Sequence, residues 1–143
     1  MNQTFQKYSD YYDLLYSNKN YEKEVSYIKK LIDENSSNSK LMLELGSGTG
    51  NHAVYFSKLK YQIHGIDLSK SMVDISKNKR IPNTNFHVGD ISNFKFDIKF
   101  DVCISLFHVI SYITDINLLI KVFKNIYSSL KPGGIFIFDC WNK

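Results

Sequence analysis

The chain has 143 residues, 43% of them hydrophobic and 22% charged, which suits one globular domain with an ample core. Its formal charge is +4, but the cations are nearly all lysine and Arg80 is the single arginine; specific nucleic-acid recognition leans on the guanidinium fork and is disfavoured. Lys, Asp or Asn interrupts every apolar run before it reaches membrane-spanning length, and Met1–Gln6 carries neither a basic nor an apolar leader pattern, so a cytoplasmic protein without a membrane segment is expected.

Helical spacing comes first. The Tyr-rich opening twenty residues suit a short helix, and Val25, Ile28, Leu31 and Ile32 recur at helical intervals among charged residues. Asn35–Ser39 is polar and turn-forming, which divides a helical portion, 1–35, from a core, 40–143. Beyond it the period changes. Lys40–Leu45 reads as a buried strand, Asn51–Leu59 as a helix, Tyr61–Ile66 as a second strand, and Ser69 as the cap of a helix running to about Lys79. Asn85–Val88 and Phe100–Leu106 are the third and fourth strands. Asp115 caps a long amphipathic helix that ends at Lys131-Pro132-Gly133-Gly134, and Ile135–Cys140 is the fifth strand. Alternating strands and helices predict an α/β fold, a doubly wound Rossmann-like parallel sheet of order 3-2-1-4-5.

In such sheets ligands bind at the carboxyl ends of the strands, beside the switch point. Polar residues gather there: Glu44-Leu45-Gly46-Ser47-Gly48-Thr49-Gly50 after the first strand, Asp67 after the second, Asp90 after the third, and Ser105 to His108 after the fourth. The glycines permit a sharp turn and close approach of a ligand to the backbone, and the next helix offers its positive end to an anionic group. Asp67 stands 21 residues beyond Gly46, the spacing at which a carboxylate reaches ribose hydroxyls. Plainer roles exist for each: Asp67 as a helix cap, Asp90 as a turn residue, Phe107 as core. Cys103 and Cys140 sit in apolar runs as ordinary buried thiols, and no spacing of Cys or His suggests a metal site.

These segments, over about residues 40 to 140, resemble class I S-adenosylmethionine-dependent methyltransferases. The match runs through Glu44–Gly50, Gly65-Ile66-Asp67-Leu68-Ser69 with Met72, Gly89-Asp90-Ile91, Phe100-Asp101-Val102 and Leu130-Lys131-Pro132-Gly133-Gly134. The resemblance implies S-adenosylmethionine as cofactor. Glu44 and the loop of Gly46, Ser47, Gly48 and Gly50 would surround its methionine end. Asp67, with Met72 in the same motif, would hold the ribose, Leu68 would pack against adenine, and Asp90 and Ile91 would meet the adenine edge. Phe107 would border cofactor and acceptor. The segment Tyr8-Ser9-Asp10-Tyr11-Tyr12-Asp13 resembles the start of small-molecule methyltransferases, including those of amino sugars; it implies a helical cap over the cleft, with Tyr8 near the cofactor. A tyrosine stripe packed on the sheet is the alternative.

Methyl transfer from a sulfonium needs alignment and exclusion of water rather than a protein nucleophile. His108 and Tyr112, just past the fourth strand, and Tyr8 are the candidate base or orienting groups; a backbone-satisfied His108 is an equal alternative, and His52 and His64 read as structural. Ser105–His108 replaces the Asn/Asp-Pro-Pro-aromatic segment of nucleic-acid amino methyltransferases, so a small-molecule amine or hydroxyl is the expected acceptor. A nicotinamide dehydrogenase would need a glycine where Asn51 stands, and a nucleotide-binding module without turnover is the rival from another class. Relatives normally carry two further strands after the fifth. Their absence here would leave Ile135–Phe138 as a bare edge open to self-association, in a fragment, a homo-oligomer or a non-catalytic remnant.

Overall fold

The structure is a computed structural model that describes residues 3–36 and 38–142, the side chains of 3–7 excepted. Two helices lead, α1 (Gln3–Leu15) and α2 (Tyr21–Asn35). There follow β1 (Leu41–Leu45), α3 (Asn51–Lys58), β2 (Gln62–Asp67), α4 (Lys70–Asn78), β3 (Thr84–Val88), β4 (Phe100–Ser105), a 3₁₀ turn (Val109–Tyr112), α5 (Ile116–Ser129) and β5 (Leu130–Phe138). The strands form one sheet in the order β3-β2-β1-β4-β5, every neighbouring pair parallel. Helix starts follow capping chemistry: the side chains of Asn20, Ser69 and Asp115 accept backbone amides of the first turns of α2, α4 and α5.

Alternation along the strands divides the core between the two faces. Met42, Ile63, Val102 and Ile104 join α2 and α3 through Ile28, Ile32 and Phe56. Leu43, Leu45, Phe100 and Cys103 face the other way and meet Val122 and Ile126 of α5. Met42, Leu43, Leu45, Val102 and Ile104 are fully buried, as a doubly covered sheet requires. His64 packs edge-on against Phe96 and Phe100, in keeping with its structural reading. No helix among the described residues is long and apolar enough to cross a membrane.

The boundaries differ most at β5, which starts at Leu130 rather than Ile135 and ends at Phe138 rather than Cys140. Leu130 already has extended backbone (φ −91°, ψ 145°) and pairs with Phe100; the next pairing, Val102 with Ile135, skips the Lys131–Gly134 bulge. A proline–glycine turn thus reads as a helix stop, yet the ladder begins before it. At the other end Asp139 turns its carboxylate out of the ladder, toward the loop after β4.

Candidate active site

The carboxyl ends of β1, β2 and β4 open onto a two-lobed cleft. The larger lobe, about 410 Å³, lies between the glycine loop and α1; the second, about 360 Å³, lies over the ends of β2 and β3. Gly46, Asp67, Val109 and Tyr112 line both and form the waist.

The glycine loop is held against β2: the amides of Gly46 and Ser47 both donate to the Ile66 carbonyl at 2.8 and 3.0 Å. Gly46 has φ +70°, and a Cβ there would meet Val109 Cγ2 at 2.5 Å, so both conformation and space demand glycine. Gly46→Ala is expected to destabilise the fold by about 1–3 kcal/mol in urea unfolding; an unchanged midpoint would show that the loop and Val109 yield freely. Gly65 on β2 is equally constrained, because a Cβ would stand 2.6 Å from Phe86 Cδ1 and 2.9 Å from Ser47 Cβ.

Asp67 closes β2 with both carboxylate oxygens engaged by backbone: Gly48 N donates to Oδ2 and Ser69 N to Oδ1, each at 2.9 Å. A carboxylate has about four acceptor sites, so the two amides fix its orientation and leave capacity for a ligand's hydroxyls at the waist. In the second lobe Leu68 is 76% exposed, and Asp90 and Ile91 form the opposite wall. Asp90 Oδ1 accepts the backbone amide and the hydroxyl of Ser92, both at 2.8 Å, and these bonds hold its carboxyl below the usual range. Ser47, Gly48 and Met72 line the larger lobe.

Two residues expected around the methionine end line neither lobe. Gly50 caps α3 and lines neither lobe; its α-carbon faces Ile81 and Phe86. Glu44 is 2% exposed beneath the loop and lines neither lobe. Its Oε1 is 3.8 Å from His52 Nδ1, while Oε2 has no hydrogen-bond partner. Burial, then the nearby charge of Asp67, pushes its carboxyl up to about 8. His52, read as structural, has a second aspect: its Nε2 meets Glu24 Oε1 at 3.1 Å, and the ring also lines the larger lobe.

Aromatic rings wall the larger lobe. Tyr8, Tyr12 and Tyr16 come from α1, with ring centroids 5.8 and 4.8 Å apart along the series, and Tyr16 meets Phe107 edge-on at 4.9 Å. A hydrogen bond with Tyr16, then burial, pushes the Tyr8 phenol up to about 12, and burial also raises Tyr12. Both remain phenols at neutral pH. His108 and Tyr112 face this lobe, and His108 Nδ1 is buried without a hydrogen-bond partner.

Sequence reasoning missed Asp13 as the tie between cap and core. Its Oδ1 accepts Thr49 Oγ1 at 2.5 Å and Asn51 Nδ2 at 3.0 Å, and Oδ2 lies 2.8 Å from Lys79 Nζ. These bonds join α1 to the glycine loop, α3 and α4 across 36 residues and more, which no local pattern reveals. Trp141, just past the end of β5, also lines the larger lobe and packs against Tyr112 at 5.1 Å.

Comparison with known proteins agrees with this geometry. A methyltransferase-domain family matches residues 42–134. The chain is 29% identical over 136 residues to a dTDP-3-amino-3,4,6-trideoxy-alpha-D-glucopyranose N,N-dimethyltransferase of Streptomyces venezuelae, covering 94% of this chain and 57% of that protein. It is 27% identical over 136 residues to a dTDP-4-amino-2,3,4,6-tetradeoxy-D-glucose N,N-dimethyltransferase of Saccharopolyspora spinosa, covering 94% and 54%. The crystal structure of Streptomyces venezuelae DesVI superposes with a TM-score of 0.84 at 30% identity, covering 92% of this chain and 56% of that one. The chain therefore spans about half the length of the curated relatives it matches.

Proposed function

We propose that this chain, which belongs to the methyltransferase-domain family, positions a small-molecule amine, of the amino-sugar class, for methylation. Its cofactor is S-adenosylmethionine. The observation that carries the reading is the Asp67 carboxylate, clamped by two amides at the waist of a two-lobed cleft. The cleft suits an adenosyl group joined to an amino acid, with one lobe for each end and a ribose acceptor between them. A Cβ built on Gly48 would meet nothing within 4 Å, so that loop is open to a ligand.

The bound cofactor supplies a methyl group activated on a sulfonium, which spares the protein any nucleophile of its own. In this reading Asp67 holds the ribose hydroxyls, and Leu68, Asp90 and Ile91 hold adenine. Gly46, Ser47 and Gly48 line the methionine end with Met72; Glu44 and Gly50 support that loop from behind. Of the expected cap 1–35 and core 40–143, the described residues 3–35 act as a cap on 40–142, tied down through Asp13, with Tyr8 bordering cofactor and acceptor; residues 1, 2 and 143 lie outside the described residues. The aromatic wall excludes water, and Phe107 borders the acceptor. An amine attacks only as the neutral base, so His108 takes its proton or orients it, while the phenols of Tyr8 and Tyr112 direct the lone pair.

The test is calorimetry with S-adenosylhomocysteine and NADH, followed by transfer of labelled methyl to nucleotide-linked amino sugars and their hydroxyl analogues. Saturable adenosyl binding, no NADH binding and label on the amines alone are expected. A folded protein that binds NADH instead, or labels only hydroxyls, would sink the reading.

The outer edge of β5 is unpaired among the described strands, and Phe136 and Phe138 stack on each other there with Phe123 edge-on to both. Such an edge recruits a second strand. The chain is expected to self-associate, with Phe138→Lys shifting it toward monomer; a monomeric mass for the unaltered chain in light scattering would contradict this.

A further inference from the structure

The loop after β4 carries an unusual backbone. Phe107 and His108 have φ of 66° and 63°, two successive left-handed residues, neither of them glycine. Their amides converge on one carboxylate: Phe107 N donates to Asp139 Oδ2 at 2.9 Å and His108 N to Asp139 Oδ1 at 2.6 Å. Consecutive amides turned to one side form an anion-binding concavity, and here a side chain of the same molecule fills it. Asp139 itself lines neither lobe. The segment it clamps lines both: His108 faces the larger lobe, Val109 and Tyr112 the waist, and Ile113 the second. Two residues beyond, Trp141 N donates to Ser111 Oγ at 2.8 Å and the indole packs on Tyr112, so the chain end after β5 grips the 3₁₀ turn at two points.

We propose that Asp139 is a positioning residue: by holding Phe107 and His108 left-handed it sets where the waist and the acceptor-facing imidazole stand. A carboxylate suits the task because both oxygens accept. An asparagine would present its NH₂ to one of the two amides, donor against donor. The inference rests on the cofactor reading for its ligand test but not for its structural test.

The structural test uses Trp141, the only tryptophan in the chain. Trp141 is already 55% exposed, so Asp139→Asn should raise acrylamide quenching of its emission by at least a fifth, with far-ultraviolet circular dichroism unchanged; unchanged quenching would overturn the proposal. The ligand test is a cycle of Asp139→Asn, Phe107→Gly and the double variant, read as S-adenosylhomocysteine affinity. Asp139→Asn should weaken binding at least tenfold. Glycine adopts the left-handed backbone without a clamp, so in the Phe107→Gly background the same change should cost at least threefold less. Equal losses in both backgrounds would show that Asp139 merely anchors the end of β5, and would overturn the proposal. If the unaltered protein binds no S-adenosylhomocysteine, the cofactor reading fails, and the same three variants are read by Trp141 quenching instead: a smaller rise for Asp139→Asn in the Phe107→Gly background supports the role of Asp139, and equal rises overturn it.

Discussion

Asp67→Ala is expected to lower affinity for S-adenosylhomocysteine roughly 100- to 1000-fold in calorimetry, the largest effect of any single cleft substitution. A hydrogen bond to a charged acceptor contributes about 1.5–3 kcal/mol, and a ribose offers two hydroxyls. The amides of Gly48 and Ser69 hold the carboxylate in place before any ligand arrives, so little is lost in ordering it. Asp67→Asn retains one acceptor but sets its NH₂ against one of those amides, and an intermediate loss is expected. Asp90→Ala should cost about tenfold, since Asp90 meets only the adenine end in this reading. A loss below threefold for Asp67→Ala, in a protein of unchanged fold, would remove the ribose from the waist.

The sheet was legible because its strands are short apolar runs ending in polar residues. Leu41 to Leu45 and Phe100 to Ser105 are of this kind, and each led to the right place in the order. Asp67 was legible for the same reason, with the spacing from Gly46 as a second signal. Glu44 shows where that logic stops. It stands one residue before the end of an apolar strand that leads into the glycine loop, which reads as a ligand contact, but strand alternation puts it on the face shared with Met42, beneath α3. The left-handed pair Phe107–His108 was hidden because no glycine marks it; a long-range carboxylate, Asp139, makes that conformation hold. The tie of Asp13 to Thr49 and Lys79 depends on how α1 docks, a packing outcome with no local signature.

Glu44→Gln is expected to remove one loss of stability that the parent suffers as pH rises from 5 to 9. Burial raises the Glu44 carboxyl from an ordinary value near 4.5 to about 8, so the folded state holds a proton that the unfolded state has released. Stability from this group is full below the unfolded value and is lost as pH rises through about 8. Glutamine resembles the protonated acid and does not titrate, so the variant keeps at pH 9 what the parent loses. A stability gap of about 2–4 kcal/mol at pH 9, falling below about 1 kcal/mol at pH 5, follows from roughly 1.4 kcal/mol per pKa unit with allowance for water reaching the site. Other groups run the opposite way. Burial holds His64 and His87 below their usual values, which favours the fold as pH rises through the range where unfolded histidine loses its proton. Asp13, Glu24, Asp90 and Asp101 are held low, and their contributions are nearly complete by pH 5. The difference between parent and variant cancels these shared terms and isolates Glu44. Urea unfolding at four pH values measures it. A constant gap would mean that Glu44 is already ionised in the fold.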